Sequence, residues 1–499
     1  MKTLASILSI SLTVLSMIVN GQVTIFEKWY DKNARAELAL DIIETHDGNF
    51  LVTGVTMANP LQIGSEDAWL IKINQNGDTL WTKIFSGIYS GCDFLNSITK
   101  KGNNYLLAGN TSVWTTWPAM SKNAWFLEID INGNIVNEKK YGGNENDEAT
   151  KILTLSNGGF IAVGSTKSYG TQDGKSDVWL IRLNNNLDTL WTKSYDLGYE
   201  DGGASIIPFQ NDKYLIVANS CTNQCQQLFQ EGNANILVVD TSGNHINTKT
   251  FNQGQKNIFT SIAATSDGGA IITGGTSMNE YFPNTNLWIL KLDNNADTVW
   301  TKEFGADSTY DDGKKIFQQT DGNYIVGGFT QSFQTPQQNF DNPWVLKLNQ
   351  QGDTLWSKTW GGPENDGITS IIPANDGSII FAGYYDFVSW PLNAIPGNSN
   401  FYVVKLADTL LTSTSEINFK SVNVFPNPFQ STTTIRTEVT LKNADLTIYN
   451  IFGQEVKRIK NISGQTIILH RDNLSNGPYF IRLTQDNKIV MTNKILITN

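Results

Sequence analysis

"GDTLWTKIF", Gly77 to Phe85, is the stretch on which the reading of this chain turns, because it recurs. "DTLWTKSY" begins at Asp188, "DTVWTKEF" at Asp297 and "GDTLWSKTW" at Gly352. A second phrase precedes it. "DAWLIKIN" around Trp69 has equivalents at Trp125, Trp179, Asn235, Trp288, Trp344 and Tyr402, with spacings of 56, 54, 56, 53, 56 and 58 residues. Seven copies of one unit therefore run from Gln22 to about Asp408, and internal repetition outranks every other fold signal.

Each copy has the same grammar. Around Trp179, "DEATKILTL", "FIAVGST", "DVWLIRL" and "TLWTKSY" read as four short strands separated by Gly, Asn and Asp turns. No helical period runs through the copies. Four antiparallel strands repeated radially make a β-propeller. The seventh copy stops at "FYVVKLA" without its last strand, and the missing piece lies near the N-terminus as "FEKWYD", Phe26 to Asp31. Phe26 falls at the place of Trp81 and Tyr30 at that of Phe85. An N-terminal strand completing the last blade closes a ring and removes the open edges. The expectation is an all-β, seven-bladed β-propeller over residues 22–408. Trp81, Trp191, Trp300 and Trp356 then lie on outermost strands and pack between neighbouring blades; copies two and four carry Asn137 and Asn247 there.

The repeat resembles those of secreted bacterial propeller proteins, on "SDGGAIITGGTS" and "WILKLDNNADTVWTKEFG". A portion of it also looks like quinoprotein repeats. No two cysteines of this chain are adjacent, so no quinone cofactor is expected, and no other cofactor or metal is indicated.

At the N-terminus, Lys2, the apolar run Leu4 to Val19 and the small-residue site Val19-Asn20-Gly21 read as a signal peptide over residues 1–21. Residues 409–420 read as a polar linker. Residues 421–499 read as a small immunoglobulin-like β-sandwich from alternating runs with Asn-Pro and Gly turns. This module resembles the type IX secretion C-terminal sorting domain, on Pro426-Asn427-Pro428, Tyr449-Asn450, Gly453-Gln454, Gly477, Tyr479-Phe480 and Lys494-Ile495. The resemblance implies the type IX machinery as partner and export to the cell surface or medium. Charge changes there too. Nine Lys and Arg face five Asp and Glu, a balance of +4, while residues 22–420 hold 26 against 42, a balance of −16. The whole chain is at −11, which argues against nucleic acid as a partner. A monomer is expected, with no membrane span left once the signal is removed.

Turns on one face of such a propeller are short and uniform, whereas the second-to-third strand loops on the other face differ in length and sequence. Binding commonly lives on diversified loops held by a rigid scaffold. Their aromatics, Trp114, Trp117, Phe229, Tyr281, Phe282, Phe387 and Trp390, are candidates to stack on sugar rings or peptide side chains of a glycan or protein ligand. Glu37, Asp93, Asp147, Asp201, Asp311 and Asp366 share one repeat position near the channel mouth. They could bind a cation or serve a polysaccharide hydrolase or lyase, but acids before strands also accept turn N–H bonds, and repetition favours that structural role. A surface scaffold without a small ligand is the third reading. Cys221 and Cys225 are spaced to close a small disulfide loop, leaving Cys92 over.

Overall fold

The computed structural model describes residues 23–32, 36–57, 66–86, 91–116, 119–171, 174–210, 212–221, 232–252, 256–277, 284–306, 309–333, 340–362, 364–387, 399–408, 423–450, 455–485 and 488–498. The chain divides into two compact units, Met1–Asp408 and Thr409–Asn499.

In the first unit the described residues form seven four-stranded antiparallel sheets. Sheet one consists of Glu37–Glu44, Phe50–Met57, Glu66–Ile73 and Thr79–Phe85, and the next five repeat that order, ending with Thr354–Thr359 of sheet six. Sheet seven takes Asn365–Pro373, Ile379–Phe387 and Asn400–Leu406, and its fourth strand is Thr24–Tyr30. Phe26 pairs with Lys405 just as Trp81 pairs with Lys72 in sheet one.

The first strands touch one another in succession from sheet one to sheet seven, and that of sheet seven touches that of sheet one. Side chains latch these neighbours together. Asn96 donates to Ala149 O (3.1 Å), Thr150 to Gly203 O (2.5 Å), Thr260 to Gly313 O (2.5 Å) and Thr369 to Ala39 O (2.8 Å). The last of these joins the seventh sheet to the first across 330 residues. Apolar residues fill the spaces between sheets. Ile42, Val52, Trp69 and Ile71 of sheet one meet Ile380, Phe401 and Val403 of sheet seven in one buried cluster.

Each first strand shifts register at the same place, between Ala39 and Asp41 in sheet one and at equivalent positions in the other six. The extra residue bends the strand and draws the second strand against it. A Cβ on Gly54, Gly109, Gly164, Gly274, Gly328 or Gly383 would lie 1.8–2.0 Å from a first-strand carbonyl oxygen. Backbone contact therefore explains the glycine that recurs in the second strand.

The recurring "GDTLWTK" phrase works as a clasp on the following sheet. Asn74, Asp130, Asn184, Asp240, Asp293 and Asn349 each open the third-to-fourth strand turn by accepting N–H bonds from residues two and four further on. The turn then needs a residue at positive φ, which is Gly352 at +78° in sheet six. The Trp300 ring of sheet five sits on that glycine and donates to Gln350 O at 3.2 Å. Trp81 lies on Gly133, Trp191 on Gly243, and Phe26 of the closing strand on Gly77. Tyr30 donates to Gly77 O (2.7 Å), Tyr141 to Leu187 O (2.6 Å) and Tyr195 to Gly243 O (2.7 Å). The phrase's Lys reaches the next sheet's Asp as Lys28–Asp78 (3.4 Å), Lys139–Asp188 (3.0 Å), Lys249–Asp297 (3.4 Å) and Lys302–Asp353 (2.6 Å). These pairs are exposed and add little stability; the aromatic seat carries the larger share.

A second clasp lies within five of the seven sheets. The third-strand lysine is buried and reaches back to the turn joining the first two strands: Lys72–Asp47 (2.7 Å), Lys291–Asp267 (2.8 Å), Lys347–Asp321 (3.3 Å), Lys405–Asp376 (2.7 Å). Sheet two reverses the polarity, with Glu128 on the third strand and Lys101 at the end of the first.

The second unit links Asn423–Phe425, Thr432–Tyr449, Gly477–Gln485 and Lys488–Ile497 in that antiparallel order, and Glu455–His470 branches off it by pairing with Thr432–Tyr449. Its core is Phe429, Ile435, Leu446, Ile448, Leu469, Ile481, Leu483, Ile495 and Ile497.

Two outcomes test these clasps. Gly352→Ala is expected to cost about 2–4 kcal/mol, because its Cβ adds left-handed strain and would meet Trp300 at 2.9 Å. Gly102→Ala, at φ +56° with nothing within 4 Å, is expected to cost about 1 kcal/mol. Denaturant midpoints separate them. Lys72→Glu alone is expected to lose about 2–3 kcal/mol, and Lys72→Glu with Asp47→Lys to regain at least half, since sheet two already uses that polarity; a double-mutant cycle reads the coupling.

Candidate functional site

The repeat-position acids are each fully buried at the start of a first strand. Asp147 accepts from Gly143 N (2.8 Å), Ser168 Oγ (2.6 Å) and the Thr166 hydroxyl. Asp311 accepts from Thr309 Oγ1 (2.7 Å), Ser332 Oγ (2.7 Å) and the Thr330 hydroxyl. Asp366 takes Gly362 N (2.6 Å) and Asp386 N (2.7 Å), and Glu37 takes Thr56 Oγ1 (3.2 Å). Asp93 N donates to Glu66 O at 2.8 Å, tying that strand start to the preceding sheet. These carboxyls hold the first strand to the end of the second and to the loop before it.

Sheet four differs. Asp201 accepts Leu197 N (2.6 Å) and Gly198 N (3.0 Å), but its Oδ1 is buried with no hydrogen-bond partner. Three other sheets place Asn and Gly beside the equivalent acid: Asn123 and Gly142 beside Asp147, Asn286 and Gly305 beside Asp311, and Asn342 and Gly361 beside Asp366. Here the neighbours are Asp177 and Asp196, and the three carboxyls bring ligand atoms within 4.8 Å of one another. Burial and repulsion from Asp196 and Asp177 push Asp201 up to about 7. Among the described residues this is the group whose donors could hold a cation.

Sheet six contributes a polar cluster on the same side that the sequence reasoning missed, because its members do not repeat. Lys314 Nζ pairs with the buried Asp312 at 2.7 Å and lies over the Phe329 ring, 5.2 Å from its centroid. Lys256 lies 5.4 Å from the centroid of Tyr310, which packs on Phe329 at 5.2 Å. Asp341 accepts Gln331 Nε2 at 2.7 Å, and burial raises it to about 6. Tyr384 is held well above the ordinary phenol range by burial and by Asp341. The cluster offers cations, carboxyls and aromatic faces together. The only signal for it was a doubled Lys, Lys314-Lys315, where no other copy carries two.

Of the aromatic candidates, Trp117, Phe229, Tyr281, Phe282 and Trp390 lie outside the described residues, as does Cys225. Trp114 is described in its backbone: it pairs with Met120 in a hairpin whose strands, Asn104–Thr116 and Ala119–Ile129, outrun those of the other sheets. Phe387 ends the strand Ile379–Phe387. Cys221 is buried and disulfide-bonded, and Cys92 is free. On the opposite face, Asp267, Lys291, Trp300, Gln318, Tyr324 and Gln350 line a groove of about 310 Å³ built from clasp residues.

In the second unit, Asn427 Oδ1 accepts Leu496 N at 2.8 Å, and Phe429 and Leu496 pair through Phe429 N to Leu496 O at 2.9 Å. Thr433 donates to Pro426 O at 2.7 Å, and the peptide bond before Pro428, like that before Pro426, is cis. The Pro-Asn-Pro segment is thus tied to the last strand, which also carries the backbone of Lys494. Gly477 adopts φ +140° where that strand's neighbour begins, and Tyr479 donates to Ser475 O at 3.0 Å. Gly453 lies outside the described residues.

Residues 423–498 match the family model described as "Secretion system C-terminal sorting domain". No curated protein matches the chain. Similar solved structures are β-propeller-like. They include Drosophila Semaphorin 1b, extracellular domains 1–2, at 8% identity, covering 77% of this chain and 87% of that one with a TM-score of 0.43. YCF48 bound to D1 peptide is similar at 10% identity, 77% and 95% coverage and 0.42. Pseudomonas aeruginosa periplasmic gluconolactonase is similar at 12% identity, 65% and 86% coverage and 0.40. The chain is a propeller-like protein with a C-terminal sorting domain that marks it for the cell surface or secretion and implies contact with the type IX machinery. Among the described residues no helix is long and apolar enough to cross a membrane.

The raised acids give a pH dependence. Asp201 at about 7, and Asp341 and Asp366 at about 6, hold protons in the folded state that an unfolded carboxyl releases near 4. The folded protein therefore binds more protons between those values, and stability falls as pH rises from about 4 to about 7. Asp201→Asn is expected to flatten part of that decline and raise Tm at pH 8 in the presence of chelator; Tm against pH for both proteins checks it.

Proposed function

We propose that this protein is an exported seven-bladed β-propeller acting as a binding module, with a glycan or protein ligand held on the face of its second-to-third strand loops. The observation that carries the reading is an asymmetry between faces. The third-to-fourth strand turns share one capping pattern, opened by Asn74, Asp130, Asn184, Asp240, Asp293 and Asn349. The other face has an extended hairpin in sheet two and the Lys256–Tyr310–Lys314–Asp341 cluster around sheet six. The cycle of first-strand contacts and the Phe26–Lys405 register support the blade count. The bent strand Thr432–Tyr449, which pairs with three partners, supports a small sandwich for the sorting unit. Residues 1–21 serve as the signal peptide, and the sorting unit is removed on export.

The exported protein applied to glycan and protein arrays is expected to retain one ligand class. Replacing Trp114 and Trp117 by Ala is expected to weaken that retention at least tenfold without lowering Tm. Retention that survives both changes removes this loop from the site. A turnover that Asp147→Asn, Asp201→Asn and Asp366→Asn abolish while binding persists replaces the module with an enzyme.

A further inference from the structure

The seven register shifts place seven equivalent residues in one ring around the axis of contacting first strands: Asp41, Ser97, Lys151, Ser205, Ser261, Lys315 and Ser370. Four are hydroxyls, two are ammoniums and one is a carboxylate. Asp41 is nearly inaccessible and accepts five bonds. Its Oδ1 takes Ile42 N (3.0 Å), Lys315 Nζ (2.7 Å) and Ser370 Oγ (2.7 Å), and its Oδ2 takes Ile98 N (3.2 Å) and Lys151 Nζ (3.0 Å). Lys151 of sheet three and Lys315 of sheet six thus converge from opposite sides on one carboxylate of sheet one.

The balance does not close. One carboxylate stands against two ammoniums, so the ring keeps a net charge of +1. Lys315 Nζ also touches Ser370 Oγ at 2.7 Å, while Lys151 Nζ has Asp41 as its one protein partner among the described residues. Of six ammonium N–H groups, three have acceptors among the described residues. Burial and repulsion by Lys151 lower Lys315 from the ordinary lysine range. Both side chains keep about a fifth of their surface open, 23% for Lys151 and 22% for Lys315, so solvent reaches them. The register puts Ser205 and Ser261 on the arc between the two lysines, away from Asp41. A net positive ring whose idle donors are open to solvent attracts a mobile anion.

We infer that the axial ring is a binding site for a small oxyanion, phosphate or a carboxylate, which takes the spare N–H groups of Lys151 and Lys315 on the side facing Ser205 and Ser261. Neither the ring nor its ligand depends on the loop-face reading. Full-length protein is titrated at constant ionic strength with phosphate, acetate and chloride, reading Tm and calorimetric heat. Wild type is expected to show saturable stabilisation by phosphate or acetate, whichever is preferred identifying the source, with chloride at least tenfold weaker. Lys151→Met, which leaves Asp41 paired with Lys315 and Ser370, is expected to weaken that response at least tenfold, and Lys139→Met on the surface to leave it unchanged. Equal responses to chloride and both oxyanions, or an unchanged response in Lys151→Met, overturn the site. Should Lys151→Met not fold, Lys151→Gln and the wild-type anion comparison decide the matter.

Discussion

Ring closure by the N-terminal strand is the constraint on which the rest of the first unit depends. Sheets that each bury both faces against neighbours have no stable end, because the first and last would expose an apolar face and an unpaired edge. Pairing Thr24–Tyr30 with Asn400–Leu406 supplies the missing edge of sheet seven. It also places Phe26 and Tyr30 on the turn of sheet one, as Trp81, Trp191 and Trp300 sit on the turns of the sheets that follow theirs. The closure brings together segments some 375 residues apart, yet the entropy of closing a loop grows only with the logarithm of its length. One aromatic seat, one register and the Thr369–Ala39 latch can therefore hold it.

Repetition in this chain records mechanical work. The glycine of the second strand, the turn-capping Asn or Asp, the tryptophan of the fourth strand and the lysine of the third each satisfy a contact made again in the next sheet. The Glu128–Lys101 pair shows that the contact, rather than the residue, is what recurs. Departures from the pattern carry the chemistry. Asp196 stands where other sheets have Gly142 or Gly361, Lys314 where they have small or uncharged residues, and Asp41, Lys151 and Lys315 where they have serine.

The second unit follows another logic. Its ends are tied together, Asn427 and Phe429 to Leu496, so the sorting segment at the C-terminus is presented from a closed body. Its balance of +4 beside −16 for the preceding residues gives the two parts opposite electrostatic character, which affects association more than folding.

From the sequence alone came the repeat, its four strands, the strand that completes sheet seven and the sorting segment. All of these rest on local patterns: period-two runs, turn residues and ordered short motifs read along one line. The repeat-position acids were also legible, but their partners were not, since Thr166 and Ser168 come to Asp147 only when two strands pair. The groupings around Asp41 and Asp201 were invisible for a stronger reason, and a doubled lysine was the one trace of that around Lys314. Lys315 reaches Asp41 across 274 residues, and nothing near either one announces the other. Such contacts exist because the ring brings seven equivalent positions to one axis, and charge at those positions acquires meaning only after the ring has closed.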